Sequence, residues 1–446
     1  MEHKNAFNVL VIPDSLPYPP VDGGKLCVFG LIDHLRKLHK FQIILAAYTP
    51  QQKDNIEELA AVWPDVAVHC VQMFNPKDFL PQPTVPLLKK VLKRTFNLLF
   101  KQNKVNASVN EISPYNEVYK TTPFYPHQQP FVEKVIQVIA QTKFDIIQTE
   151  LSRMLNLVNL FPATAKKVFV QIESRADVLH DYGVSNNINM AYVDHIAGNT
   201  RFLEYGYMGL YDAILTLNQT DKLAIENVLP ASVKVYNSPY GILDVDIKEL
   251  NINKHSIKNL IFVGGENHFP NLDGLEWFLT DVIKHFGTLP FNKLYVTGKW
   301  SVPAIEKFKH LSNTVVFLGF VDDLQPYFQT SVSIVPIRIG GGGIRTKILS
   351  AMAGGAPVVA TSLSAVGIKG THQNELLIAD SAADFAKAIN DYFNNVDLAH
   401  QVIKKAHVLI KTQYSQSVVG NIRDKIYHDI VGNNTKDSII DFDTYD

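Results

Sequence analysis

The sequence predicts an α/β protein built from two doubly wound domains, and three observations lead there. A short apolar run, a glycine-bearing loop and a helix-spaced apolar stripe occur in that order near the N-terminus, and the same order restarts near residue 259. The 446 residues exceed what one ordinary core holds. Residues 238–258, between the two halves, are rich in Asp, Lys and Asn, as a linker is.

The first half opens with Asn8-Val9-Leu10-Val11-Ile12, an unbroken apolar run closed by Pro13. Such a run fits a strand buried on both faces. A proline-rich loop follows and ends at Asp22-Gly23-Gly24. Phe29, Ile32, Leu35 and Leu38 then recur at helical spacing, and Gln42-Ile43-Ile44-Leu45-Ala46 is the next strand. Strand, loop, helix, strand is a βαβ unit, which implies a parallel sheet. Further strands are expected at 144–148, 167–172 and 213–217. The second half begins with 259–263 running into Gly264-Gly265, and continues with strands at 294–296, 315–318, 332–335 and 357–360. The expected division is an N-terminal domain at 1–240, a linker at 241–258 and a second domain at 259–415. A helix at 416–432 is expected to pack back on the first domain, and the acidic tail 433–446 to fray.

Composition excludes several classes. Hydrophobic residues make up 46% and charged residues 19%, with a net charge of −1, so nothing global draws the chain to nucleic acid. Two cysteines, Cys27 and Cys70, support neither a disulfide framework nor a zinc cluster. The start has no signal-peptide layout, and no run reaches the roughly 18 apolar residues of a membrane span. A cytoplasmic protein is expected.

The stretch 333–361 carries the chemistry. Ser333-Ile334-Val335-Pro336 is strand, Gly340 to Gly343 are four glycines, and Ile344, Ile348, Leu349 and Met352 form a helical stripe that Gly354-Gly355 can end. Glycines let backbone N–H groups approach a ligand, and a helix N-terminus adds unpaired N–H groups with a positive partial charge. Arg345 and Lys347 are expected in the first helical turn, where a cation is unfavourable by roughly 0.3–1 kcal/mol unless an anion sits there. A bound diphosphate reverses that sign.

Through these and further motifs, residues 259–368 resemble the C-terminal domain of retaining GT-B glycosyltransferases of family 4. The shared pattern is Phe262-Val263-Gly264, Pro270-Asn271, Gly298, Leu318-Gly319-Phe320-Val321-Asp322-Asp323 and the block from Gly340 to Pro357. The first domain agrees through Asp22-Gly23-Gly24, Phe144-Asp145-Ile146-Ile147, Tyr211 to Thr216 and Ser238 to Ile242, and least well at 51–143. The resemblance implies two Rossmann-like domains facing across a cleft, the GT-B fold. It also implies a nucleotide-sugar donor, uridine by family frequency, and transfer to an acceptor hydroxyl with retention. Two glutamates eight positions apart are common in this family; here the first position is Gly342, often not glutamate in this branch, and the second is Ser350. The second holds the ribose in the family, and a serine does so more weakly than a carboxylate.

Transfer breaks an anomeric C–O bond, so the leaving diphosphate must be stabilised. The candidates are Lys299, Arg345 and Lys347 with the N–H groups of Gly343 and Ile344, faced by Gly23 and Gly24. Glu173, after the strand 168–172, falls where relatives place a catalytic histidine; the alternative is a capping or surface glutamate. Asp177, His180 and Asp181 are expected on a helix, solvating a surface. Gly264, Gly265, Glu266, Asn267 and His268 are expected to line the cleft, and Phe320 and Val321 to lie beside the base. No cofactor and no metal are expected. The expected acceptor is a sugar, lipid-linked or peptide compound. Residues 87–104 carry six cations and no acid, with apolar residues at helical spacing. A solvated basic face and a peripheral contact with the inner face of a membrane are both open for it. Two other functions stay open: a donor-binding module without turnover, which Ser350 favours, and a nucleotide-sugar epimerase, for which the needed carboxylates and histidines are not seen.

Overall fold

The computed structural model describes residues 6–21, 23–75, 122–252, 255–340 and 343–432. Asp22, Gly342, the basic stretch 87–104 and the tail 433–446 lie outside them. Two parallel sheets organise the chain. The first has the order β3-β2-β1-β4-β5-β6-β7, from Asn8–Pro13 (β1), Lys40–Ala47 (β2), Ala67–Gln72 (β3), Ile146–Glu150 (β4), Lys166–Gln171 (β5), Ala213–Thr216 (β6) and Lys234–Asn237 (β7). The second has the order β10-β9-β8-β11-β12-β13, from Asn259–Phe262 (β8), Leu294–Thr297 (β9), Val315–Gly319 (β10), Ser331–Val335 (β11), Val358–Ala360 (β12) and Leu377–Ile378 (β13). Both are doubly wound, as expected.

The apolar runs explain why the sheets form. Val9, Leu10, Val11 and Ile12 are all fully buried, with alternate residues packed in the clusters on opposite faces of the sheet. In each sheet the strand order reverses beside the first strand, between β1 and β4 and between β8 and β11. Ligands of open parallel sheets bind at the carboxyl ends of strands at such switch points. The loops there are the one that ends at Gly23 and, in the second sheet, 263–268 and 336–345.

The backbone passes between the sheets at Gly241-Ile242 and returns at Tyr414-Ser415, and the two passages are bonded to each other. Ile242 N–H donates to Tyr414 O at 2.7 Å and Gln416 N–H to Ile242 O at 2.7 Å. A Cβ on Gly241 would stand 2.5 Å from Tyr414 O, so only glycine permits the crossing. The helix Gln416–Val431 then lies against the first domain. Its Arg423 is fully buried, and donates to Ser238 Oγ at 2.6 Å and Gln148 Oε1 at 3.2 Å. Tyr427 donates to the same Gln148 oxygen, while Gln148 donates to Glu150. Burial pushes the Glu150 carboxyl up to about 7, against the opposing pull of Arg423.

Candidate functional site

The glycine loop leaves β11 and ends on the helix Thr346–Ala353. The helix starts two residues later than the stripe suggested: Arg345 is its N-cap residue, with φ −80° and ψ 88°, and Ile344 precedes it. Arg345 therefore stands just before the first turn and Lys347 within it. Two described glycines of the loop need to be glycine. Gly340 has φ +115° and its Cβ would meet Pro270 at 2.8 Å. Gly343 has φ +89° and its Cβ would meet Ile172 O, across the cleft, at 2.6 Å. Gly355 at φ +82° follows the far end of the helix.

Lys347 is the most unusual group of the site. Its Nζ donates to Asn271 Oδ1 at 2.5 Å and lies 5.4 Å over the Phe262 ring. Neither partner carries a negative charge. Burial, and secondly the nearby Arg345, lower its pKa from 10.5 to about 7. Asn271 is held in turn, donating its side-chain N–H to Gly265 O at 2.8 Å. Burial also lowers the pKa of Arg345, which Glu173, Asp221 and Asp181 oppose. All three carboxylates come from the first domain. His268 is exposed, and desolvation, with Lys347 and Arg345, pushes its pKa down to about 4.

The loop 263–268 rests back to back on the loop after β9. Gly298, at φ +90°, has no room for a Cβ, which would lie 2.7 Å from Gly265 N. Gly264, at φ +152°, would strike Asn271. Glu266 N–H donates to Lys299 O, and its carboxylate accepts from Ser301 N–H and Oγ at the start of the helix Val302–Leu311. Glu266 thus holds two loops together rather than pointing a free carboxylate inward. Asn267, Lys299 and Phe320 are exposed, the last at 57%. Val321 and Ser350 are half-buried and Ile344 is buried.

The first domain meets this loop closely. Gly23 begins the helix Gly23–Leu35, and a Cβ there would come within 1.9 Å of Thr346 Oγ1. Gly24 beside it is exposed. Glu173 follows β5 and pairs with Arg175 at 2.6 Å. Asp181 was expected to solvate a surface; instead its Oδ2 accepts the Gly340 N–H at 3.0 Å. Asp221 Oδ2 accepts the Gly343 N–H at 3.3 Å. The reason is the closed cleft, which brings two first-domain helices, Arg175–Ser185 and Gln219–Glu226, onto the loop. In this conformation the Gly343 N–H is engaged by a carboxylate. Sequence reasoning missed Asp221, whose Asn218-x-x-Asp221 spacing reads as a helix cap, and it does cap. Among the described residues, no group of three His, Cys, Asp or Glu side chains could hold a metal, and no helix is long and apolar enough to cross a membrane.

Two doubly wound domains joined by a double crossing, with a glycine loop and its cations at the switch point of the second, define a GT-B protein. Residues 257–395 match the family described as Glycosyl transferases group 1. The fold is similar to that of sucrose-phosphate synthase from Thermosynechococcus elongatus, with a TM-score of 0.66 and 14% identity over 96% of this chain and 100% of the other. It is similar to S. aureus TarM in a complex with UDP, at 0.63 and 12% over 94% and 99%. It is also similar to Anabaena HepE in complex with UDP, at 0.60 and 14% over 95% and 100%. A curated relative, an uncharacterized 44.6 kDa protein in the cps region of Klebsiella pneumoniae, is 28% identical over 171 residues. That match covers 36% of this chain and 44% of the relative, so the chain spans less than half of the curated protein it matches.

Proposed function

We propose that this chain moves a sugar from a nucleotide-sugar donor, a UDP-sugar, to an acceptor hydroxyl with retention of anomeric configuration. One observation carries the reading: Lys347 is a cation in the first turn of the Thr346–Ala353 helix, desolvated and with no carboxylate partner among the described residues. A lone desolvated charge is unfavourable until an anion arrives. A diphosphate there neutralises it and also meets the helix N-terminus. That UDP is bound by structural neighbours of the same fold, TarM and HepE, supports the choice of nucleotide.

In this reading Arg345, Lys347 and Lys299 hold the diphosphate, with the Gly343 and Ile344 N–H groups on one side and Gly23 and Gly24 on the other. Ser350 bonds the ribose and Phe320, with Val321, covers the base. Gly264, Gly265 and Gly298 shape the floor, and Glu266 and Asn267 border it. Gly342 completes the donor-binding residues. The anomeric C–O bond breaks with its electron pair passing to the β-phosphate oxygen. The acceptor oxygen bonds to the same face of the sugar and its proton passes to the phosphate. Glu173 orients the acceptor or sugar. None of these steps draws on a metal. The acceptor is a sugar, lipid-linked or peptide compound met in the cytoplasm. If 87–104 contacts the inner face of a membrane, glutamine at Lys89, Lys90, Lys93 and Arg94 should release the protein from anionic vesicles and spare donor binding.

The test is titration of UDP-glucose into wild type and Arg345→Ala, with a transfer and hydrolysis assay beside it. Loss of a charged hydrogen bond should weaken binding by about 1.5–3 kcal/mol. Unchanged affinity would remove Arg345 from the site. The second reading, a donor-binding module without turnover, is favoured by Ser350 and by the engagement of Gly343 by Asp221. Donor binding with no turnover across common donors and a broad acceptor panel would select it.

A further inference from the structure

We propose that Asp181, with Asp177 beside it, reads the hydroxyl groups of the transferred sugar across the cleft and selects an uncharged hexosyl group over one bearing a carboxylate. This inference rests on the donor reading above and adds the class of sugar to it. A cavity of about 220 Å³ lies against the glycine loop, lined by Asp177, Asp181, Gly340, Gly343 and Arg345. At about 30 Å³ per water it holds roughly seven waters, the bulk of one sugar ring rather than two. Because Arg345 adjoins the diphosphate position, the group attached to the outer phosphate falls in this cavity.

The chemistry of the walls decides what fits. Asp181 spends one lone pair on the Gly340 N–H. Asp177 binds Arg201 through Oδ1 at 2.6 Å. Each carboxylate keeps lone pairs for an O–H donor, and hydroxyl-to-carboxylate bonds are among the stronger neutral-to-charged ones. Leu363 and Val366 supply an apolar wall for the C–H face of a ring. A carboxylated sugar would instead bring a further negative charge against Asp181 and Asp177, while Arg345 is engaged with the diphosphate and Arg201 with Asp177. The carboxylates reach the sugar from the domain opposite the glycine loop. Sugar recognition then exists only in the closed state.

The experiment compares UDP, UDP-glucose and UDP-glucuronate by titration calorimetry on wild type, Asp181→Asn and Asp177→Asn, each checked for an unchanged melting profile. Wild type should bind UDP-glucose at least tenfold more tightly than UDP-glucuronate. Asp181→Asn should shrink that ratio to threefold or less and leave UDP affinity the same or tighter, and Asp177→Asn should shrink it partway. Equal binding of the two sugars by wild type, or an unchanged ratio in both variants while UDP still binds, overturns this assignment and leaves the donor reading intact. A wild type that binds none of the three overturns both.

Discussion

Donor affinity should fall as pH rises through about 7, because Lys347 loses its proton there in the free protein. Its pKa is lowered from 10.5 to about 7, by burial first and Arg345 second. A diphosphate beside the ammonium restores the charged form toward its ordinary range. The complex thus holds a proton that the free protein has lost above pH 7, and binding must take it up. Each pH unit in that window costs about 1.4 kcal/mol, tenfold in Kd, until the pKa of the complex is reached. From pH 6 to pH 9 the Kd for UDP-glucose should rise about 100-fold, or about 2.7 kcal/mol. UDP-glucose is the ligand of choice because a diphosphate esterified at both ends does not titrate in this range. Calorimetry in two buffers of different ionisation enthalpy should report uptake of about one proton at pH 8–9. Glu150, also near 7, titrates in the same window, so Lys347→Met is the control in which the slope must vanish. The same variant should stabilise the donor-free protein. Lys347 binds fewer protons folded than unfolded between pH 7 and 10.5, so its penalty is full below 7 and fades as pH rises. Removing it should gain about 1–2 kcal/mol at pH 6 and less at pH 9. A Kd that is flat from pH 6 to 9, with Lys347→Met binding as well as wild type, would refute the reasoning.

Three other outcomes follow from the cleft. Gly23→Ala places a methyl within 1.9 Å of Thr346 Oγ1, so it should hold the domains apart, seen as a larger radius in small-angle scattering and a lower turnover, partly recovered by Thr346→Ala. Asp221→Ala should free the Gly343 N–H for phosphate and tighten UDP by about 0.5–1.5 kcal/mol; weaker binding would mean that Asp221 assists the donor instead. Ser350→Ala should cost about 0.5–1.5 kcal/mol of donor affinity if the hydroxyl holds the ribose, and the sign of the change in Ser350→Glu tells whether the site has room for a carboxylate.

Most of the sheet architecture was legible because parallel strands buried on both faces read as unbroken apolar runs. The runs beginning at Asn8, Gln42, Phe144, Lys167, Ala213 and Asn259 all fall on strands. Strands β3, β7 and β13 escaped, and the first two lack such a run. In β3 the sequence Ala-Val-His-Cys-Val-Gln has only Val71 buried, as befits an edge strand. In β7, Lys234 and Asn237 break a four-residue edge strand. The start of the helix at Thr346 was misread by two residues because Ile344 continues the apolar stripe. Ile344 is buried in a core cluster that spans both domains and includes Ile348, Leu349 and Met352 of the helix.

The glycine loop shows a different limit. Its composition announces backbone N–H groups laid open to an anion, and nothing local says which anion. In the folded chain some of those groups already have one: Asp181 stands 159 residues before Gly340, and Asp221 stands 122 residues before Gly343. Each aspartate, read in its own helix, is an ordinary polar residue. Their proximity to the loop depends on the crossing at Gly241 and on the buried Arg423 that fastens the last helix to the first domain. Neither feature leaves a periodic trace in the sequence. Lys347 differs from the glycines because it has no carboxylate partner among the described residues. On the proposed reading, a loop in which the Gly340 and Gly343 N–H groups are met by carboxylates while Lys347 is not takes an anion that displaces some of its own side chains, with the strongest part of that charge at the lysine.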